Sequence, residues 1–468
     1  MKKNSTSSPL NRSLVFSSGR FVFMLALMSI LLSPLRAQNG IAVPQMSNCD
    51  NLVTQFLNQY DIPGATFALA KNGKLVYMRS FGDADLAGQE ETQPYHMFRI
   101  ASVSKPITGI AIMKLVENGQ LSLSDKAFGS TGRLASHPYL STVTYSDARL
   151  NDVTVQQLLE HTGGWNRNID CVPSPNPPYT WAINHCDPIG FPLYVTQALG
   201  ETNPVREEVL IRFLMEKGLA FTPGTQYAYS NIGYLVLGEI IAVVSGKSYE
   251  DYVKDEILSP LGIYDMHLGK NLLADKRERE GEYQGNGFIV PSSYGTGQNV
   301  PWEYGGWNLE AMDAHGGWIG SPRDLVRLLV AVDGFNTKPD ILSGASISTM
   351  TTGSGSNANY AKGWSVNNAN HWWHTGALDG TASFWARTST GYTWALITNK
   401  RVVNASANAF WNAFDGLPWN CIAQTATWPS HDLLLSPLQN SKDLVFSGNG
   451  STELTVSWTP GNGEKRLL

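Results

Sequence analysis

The sequence predicts an α+β protein: an antiparallel sheet assembled from both ends of the chain, flanked by terminal helices, with an all-helical lobe inserted between its strands. Three observations predict it. Residues 64–81 and 363–398 alternate in polarity or carry aromatics, with turn residues between the runs. Between them, apolar residues recur mostly at helical spacing. Helical patterns at 49–60 and 405–414 bracket the strands. Two lobes follow, and ligand sites concentrate in the cleft between such lobes.

The elements are justified in chain order. Over 49–60, Leu52, Val53, Phe56 and Leu57 share one helix face. Strands at 64–70 and 74–81 are joined through Lys71-Asn72-Gly73, and Asn-Gly is a strong hairpin signal. Phe98-Arg99-Ile100-Ala101 leads into a helix opening near Ser102, continuing through Ile110, Met113, Leu115 and Val116 and stopping at Asn118-Gly119. A short helix at 153–159 ends in His161-Thr162-Gly163-Gly164. Helices at 205–217, 231–245 and 249–257 follow, the second closed by Gly246 and the third by Pro260-Leu261-Gly262. Strands at 363–366, 372–376, 382–387 and 392–398 complete the sheet.

Composition narrows the function. Lys2, Lys3, Arg12 and Arg20 precede an apolar run at 21–32, followed by Ser33-Pro34-Leu35-Arg36-Ala37. This is the pattern of an export signal, with cleavage expected near Ala37. The run is too short to span a bilayer, so no stable membrane span is expected after cleavage. A periplasmic or secreted location follows. Removing residues 1–37 takes away five positive charges and no negative ones, moving the net charge from −5 to −10. Such an acidic chain without a basic cluster is a poor nucleic-acid binder.

The domain expected is 38–432. Residues 436–468 change character, and 451–459 alternate like a strand. That segment resembles the start of a fibronectin type III module, truncated here because such a module needs about a hundred residues to close. Four cysteines (Cys49, Cys171, Cys186, Cys421) in an exported protein favour disulfides and allow three pairings. Cys171 and Cys186 bracket a proline-rich loop and read as a local staple; Cys49 and Cys421 would pair if the two ends pack side by side. With no Cys-x-x-Cys or His-Glu-x-x-His arrangement, neither a metal nor a cofactor is expected.

The chemistry lies in an ordered trio: Ser102-Val103-Ser104-Lys105, Tyr229-Ser230-Asn231 and His374-Thr375-Gly376. Residues three apart on a helix are neighbours, so the Lys105 amine can reach the Ser102 hydroxyl. Ser102, at the start of its helix, sits in a field that favours a developing alkoxide. Burial and the same field should lower the Lys105 pKa and make it a proton acceptor. No Gly-x-Ser-x-Gly is present, so an α/β-hydrolase reading has no foothold.

These motifs resemble those of the serine β-lactamase and penicillin-binding-protein superfamily, in its class C-like branch with the family VIII esterases and D-aminopeptidases. Leu158-Leu159-Glu160-His161-Thr162-Gly163-Gly164, Phe221-Thr222-Pro223-Gly224, Pro260-Leu261-Gly262 and Gly316-Gly317-Trp318 with Asp324 add to the likeness, which runs over 48–416. The resemblance implies a β-lactamase/transpeptidase-like fold with Ser102 as nucleophile. It implies that Tyr229 shuttles the serine proton with Lys105, whose proximity would lower the phenol's pKa. Asn231 would bind a substrate amide or carbonyl and help orient Lys105; asparagine also suits a helix N-cap. The strand at His374, Thr375 and Gly376 would line the cleft, and the Ala377 and Ser102 N–H groups would form the oxyanion hole.

His374 departs from the lysine common in β-lactamases. Histidine is mostly neutral at pH 7, which favours neutral esters or amides over carboxylate-bearing lactams. His161 and His315 read as packing or loop-anchoring residues, and the insert at 166–192 as a lid. The expectation is an exported serine hydrolase working through an acyl-enzyme on small-molecule esters or amides. D-aminopeptidase or D-alanyl carboxypeptidase action on D-amino-acid peptides comes next, then β-lactamase action. A penicillin-sensing protein without turnover is the non-catalytic alternative.

Overall fold

The computed structural model describes residues 37–169, 186–434, 442–448 and 454–459, the last two segments as backbone. The expected export signal up to residue 36 therefore lies outside the described residues. So does Cys171 of the proposed Cys171–Cys186 pair, along with most of 436–468, where only the antiparallel strands Lys442–Gly448 and Leu454–Thr459 are described.

A short strand β1 (Gln38–Gly40) and the helix Ser47–Tyr60 precede a hairpin of β2 (Gly64–Lys71) and β3 (Lys74–Gly82). Asn72 and Gly73 join them at φ of 49° and 74°, the left-handed pair that a tight two-residue hairpin turn requires. β4 (Phe98–Arg99) leads through a 3₁₀ turn, Ala101–Val103, into the helix Ser104–Glu117. The middle of the chain is largely helical: Val155–Leu159, Glu207–Lys217, Asn231–Ser245 and Tyr249–Val253. It also carries short strands β5 (His267–Leu268), β6 (Ile289–Pro291), β7 (Asn299–Pro301) and β8 (Trp318–Gly320). The expected all-helical insert is thus corrected to a helical lobe with two small sheets, β4-β8-β5 and β6-β7. Strands of two or three residues are too short to leave a period in the sequence.

After the helix Pro322–Val330 the chain returns to the main sheet with β9 (Ser365–Val366), β10 (Trp372–Leu378), β11 (Thr381–Arg387) and β12 (Tyr392–Thr398). The seven strands run β1-β3-β2-β12-β11-β10-β9, all antiparallel. Side-chain alternation divides them between two cores. Phe67, Leu69, Phe384, Trp394 and Leu396 join Val53, Phe56, Phe410 and Phe414 of the terminal helices. Ala68, Ala70, Trp385, Ala395 and Ile397 face the opposite way, into the core shared with the helical lobe. The sheet is therefore covered on both faces, as its apolar content demands.

The closing helix runs Ala407–Ala423, nine residues beyond the expected stop at 414. Pro418, which lacks the N–H that a helix interior uses, nevertheless lies inside the helix. Burial of Phe410, Phe414, Leu417 and Cys421 against the first helix overrides that local preference. The Cys49–Cys421 disulfide ties the two helices together, with Cα atoms 4.8 Å apart across 372 residues of sequence. Among the described residues no single helix is long and apolar enough to cross a membrane.

Candidate active site

Ser102 sits on a turn held from three sides. Ala101, the residue before Ser102, adopts φ of 48°, a conformation that costs a non-glycine residue about 1–3 kcal/mol and persists only when its surroundings enforce it. Here the Ile100 amide donates to Trp318 O (3.0 Å), and the Ser383 hydroxyl of β11 donates to Ile100 O (2.7 Å). The Trp318 amide in turn donates to Ser104 Oγ (3.3 Å). β10 closes against this turn at Gly376, where any Cβ would collide with the Ile100 carbonyl and the Ser383 hydroxyl. Gly376→Ala is expected to push β10 off the turn and lower kcat/KM about 10²-fold or more, because misplacement by about 1 Å is enough for that loss. Kinetics on a soluble, folded variant check it.

Lys105 is fully buried, and its Nζ lies 3.1 Å from Ser102 Oγ and 2.7 Å from the backbone oxygen of His315. Burial pushes its pKa well below the ordinary lysine value; the Arg167 cation pushes the same way, and Asp187 opposes them. A neutral amine can donate to His315 O while its lone pair receives the Ser102 proton. The Tyr229 side chain also hydrogen-bonds to Ser102. Its pKa is raised, chiefly by burial, with the Ser102 hydrogen bond and Arg167 pulling weakly the other way. The expectation that Lys105 lowers the phenol's pKa is therefore corrected. The ammonium position lies over the ring, 4.9 Å from its centroid, and the hydroxyl stays protonated. Tyr229 can therefore donate a proton, and a neutral Lys105 amine can accept one.

His161 and Arg167 fix the Tyr229 ring. The His161 ring packs at 4.2 Å between centroids, and the Arg167 guanidinium lies 4.6 Å from the Tyr229 ring centre. His161 Nδ1 accepts from the Ser230 amide (3.1 Å), so its proton resides on Nε2, which donates to Tyr360 Oη (3.0 Å). Tyr360 Oη lies 3.3 Å from His374 Nε2, and His374 Nδ1 donates to Thr375 O (2.7 Å). Both His374 nitrogens are thus engaged within the protein. Its ring is 5% exposed, and burial, reinforced by Lys105, holds its pKa down at about 3. His374 is a neutral buttress behind Tyr229, on the buried side of β10. Thr375 and Ala377 face outward instead, because alternate residues of a strand take opposite faces.

β9 pairs with β10 only at Trp372 and Trp373, so among the described residues Ala377 has a strand neighbour on the β11 side alone. Together with Ser102, Ala377 lines a cavity of about 250 Å³. The other expected contributor, Asn231, lines it too, but its Nδ2 already donates to Asp187 Oδ2 (2.6 Å). The helix N-cap is Ser230, whose hydroxyl accepts from the Gly233 amide; Asn231 is the first helical residue, which corrects its expected cap role. Arg167, Asp187, Ile189 and Gly190, all from the expected lid insert, line the cavity; 170–185 lie outside the described residues. Trp302, Trp307 and Arg401 complete its far wall and were missed in the sequence, where no motif marks them. His315 serves through its backbone oxygen as well as by packing, and Gly316 forms part of the cleft wall.

The profile of the Beta-lactamase family matches residues 49–413. The chain belongs to the beta-lactamase family. Protein flp of Staphylococcus aureus (strain MRSA252) is 27% identical over 340 residues, 72% of this chain and 59% of that protein. The chain thus spans less than two thirds of the length of this curated relative. Among solved structures, the D-amino acid amidase of Ochrobactrum anthropi SV3 complexed with L-phenylalanine amide superposes with a TM-score of 0.59. It is 20% identical, covering 81% of this chain and 100% of that one. EstCE1, a hydrolase with promiscuous acyltransferase activity, gives a TM-score of 0.57 at 18% identity, covering 82% and 99%. Both share the beta-lactamase family fold with this chain. The expected enzyme class, a serine hydrolase, agrees with that family and fold.

Proposed function

We propose that the chain is an exported serine hydrolase that cleaves small esters or amides through an acyl-enzyme on Ser102. One observation carries the reading: a fully buried lysine amine lies 3.1 Å from a serine hydroxyl that a protonated tyrosine also contacts. Ser102 O–H passes its proton to Lys105 as Oγ attacks the carbonyl carbon. The developing oxyanion takes hydrogen bonds from the Ser102 and Ala377 amides. Tyr229 protonates the leaving group and is reprotonated by Lys105. Water then repeats the sequence against the acyl-enzyme, with Lys105 again accepting the proton. The neutral, internally bonded His374 offers no cation to a substrate carboxylate, which supports substrates without a carboxylate over lactams and D-alanyl carboxylates.

A panel of p-nitrophenyl esters, amino-acid amides, D-alanyl peptides and nitrocefin tests this, with a fluorophosphonate to label the serine. Ester or amide turnover above that of nitrocefin is expected. Labelling without turnover of any substrate would favour the penicillin-sensing alternative.

A further inference from the structure

The cavity beside Ser102 contains an acceptor corner that the acyl-transfer steps leave unused. Asn231 must present its NH₂ to the Asp187 carboxylate, because a carboxylate only accepts; this fixes the Asn231 carbonyl as a second acceptor. Asp187 and Asn231 are 6% and 7% exposed. Among the described residues neither Asp187 Oδ1 nor Asn231 Oδ1 has a hydrogen-bond partner, while the Ile189 backbone also bonds the Asp187 carboxylate. Arg167 forms an ion pair with Asp187 Oδ2 at 3.8 Å, beyond hydrogen-bond reach, while stacking on Tyr229. Two buried oxygens, one of them a carboxylate's, thus await a donor in the cavity that the nucleophile opens into. Trp302 and Trp307, with ring centroids 4.8 Å apart, wall the same cavity and suit an apolar or aromatic side chain.

We infer that Asp187 and Asn231 bind the free amine of the substrate, so that the preferred substrates are amides or esters of amino acids bearing an unblocked α-amine. The inference rests on the hydrolase reading for its context, but it concerns binding and is testable without turnover. An α-ammonium carries three donors and a positive charge, matching one carboxylate oxygen and one amide oxygen. A simple acyl ester would leave both acceptors buried and unpaired, which disfavours it strongly. Discrimination against a ligand lacking a required donor is characteristically large.

Calorimetry on the Ser102→Ala protein at pH 7 would compare D- and L-phenylalanine amide with 3-phenylpropanamide, which lacks only the amine. The better amine ligand is expected to bind at least about tenfold tighter than the desamino ligand. In Ser102→Ala/Asp187→Asn, whose carboxamide keeps the shape and the Asn231 hydrogen bond, that ratio should fall to near one. Equal binding of both ligand types, no binding of either, or a ratio that survives Asp187→Asn would overturn the inference. Wild-type turnover of p-nitrophenyl acetate and of D- and L-phenylalanine p-nitroanilide, which carry the free amine, is measured alongside, and absence means that none of the three is cleaved. Absent turnover with an intact ratio removes the hydrolase and leaves the amine corner; present turnover with a ratio of one does the reverse.

Discussion

Replacing Ser102 by alanine lowers turnover of the best ester or amide substrate by about 10⁴–10⁶-fold, the loss typical when the nucleophile of an interdependent set is removed. The fold should not suffer. The strained Ala101 and the Ile100 carbonyl are held by Trp318 and Ser383, neither of which touches the deleted hydroxyl. Lys105 keeps its hydrogen bond to His315 O. Thermal unfolding within a few degrees of wild type, with rates at the solution background, is the expected pair of results. Near-wild-type turnover in a folded Ser102→Ala protein would show that another group performs the attack.

Lys105→Met comes next in size. Methionine is about as long and apolar, so it fills the space without a charge, and the variant loses the proton acceptor while retaining the packing. General-base removal costs about 10²–10⁴-fold. Burying an amine whose pKa is driven well down by desolvation is itself unfavourable, so the variant should be as stable as wild type or more so. Ser102 and Lys105 act on the same proton, which predicts that Ser102→Ala/Lys105→Met is no slower than Ser102→Ala alone. Initial rates and melting curves on the three proteins check both statements. Additive losses in the double variant would mean that Lys105 works through some other step.

Much of this architecture was legible because it is written in short periods and strong stop signals. The Asn72-Gly73 turn, the helix Asn231–Ser245 closed by Gly246 and the strand Tyr392–Thr398 appear at or near the expected bounds. The Ser102–Lys105 pair was legible because one helical turn is a local distance. What depended on long-range burial was not. Tyr229's raised pKa follows from burial, against the pull of Arg167, and His374 is held inward beside Tyr360; the groups packed on Tyr229, His161 among them, come from distant parts of the sequence. The Asp187–Asn231 hydrogen bond joins the lid insert to a helix start, and no spacing rule connects them. Arg401 and Trp307 reach the cavity from loops, where residue type alone signals nothing. Pro418 inside the last helix is the converse case, a clear local stop overruled by the core beneath it.

The central claim is that an uncharged Lys105 takes the proton from Ser102, and the pH dependence of covalent labelling at Ser102 tests it most directly. The rate of fluorophosphonate reaction, with the modified serine located by mass spectrometry, would be followed from pH 5 to 10. Because burial depresses the Lys105 pKa, the neutral amine is populated above that lowered value and lost below it. Labelling should therefore rise with pH through a limb well under the ordinary lysine value of about 10.4. The raised Tyr229 pKa keeps its proton in place, so no descending limb should appear below about pH 10. A limb at the ordinary lysine value, or a label on any residue other than Ser102, would contradict the account.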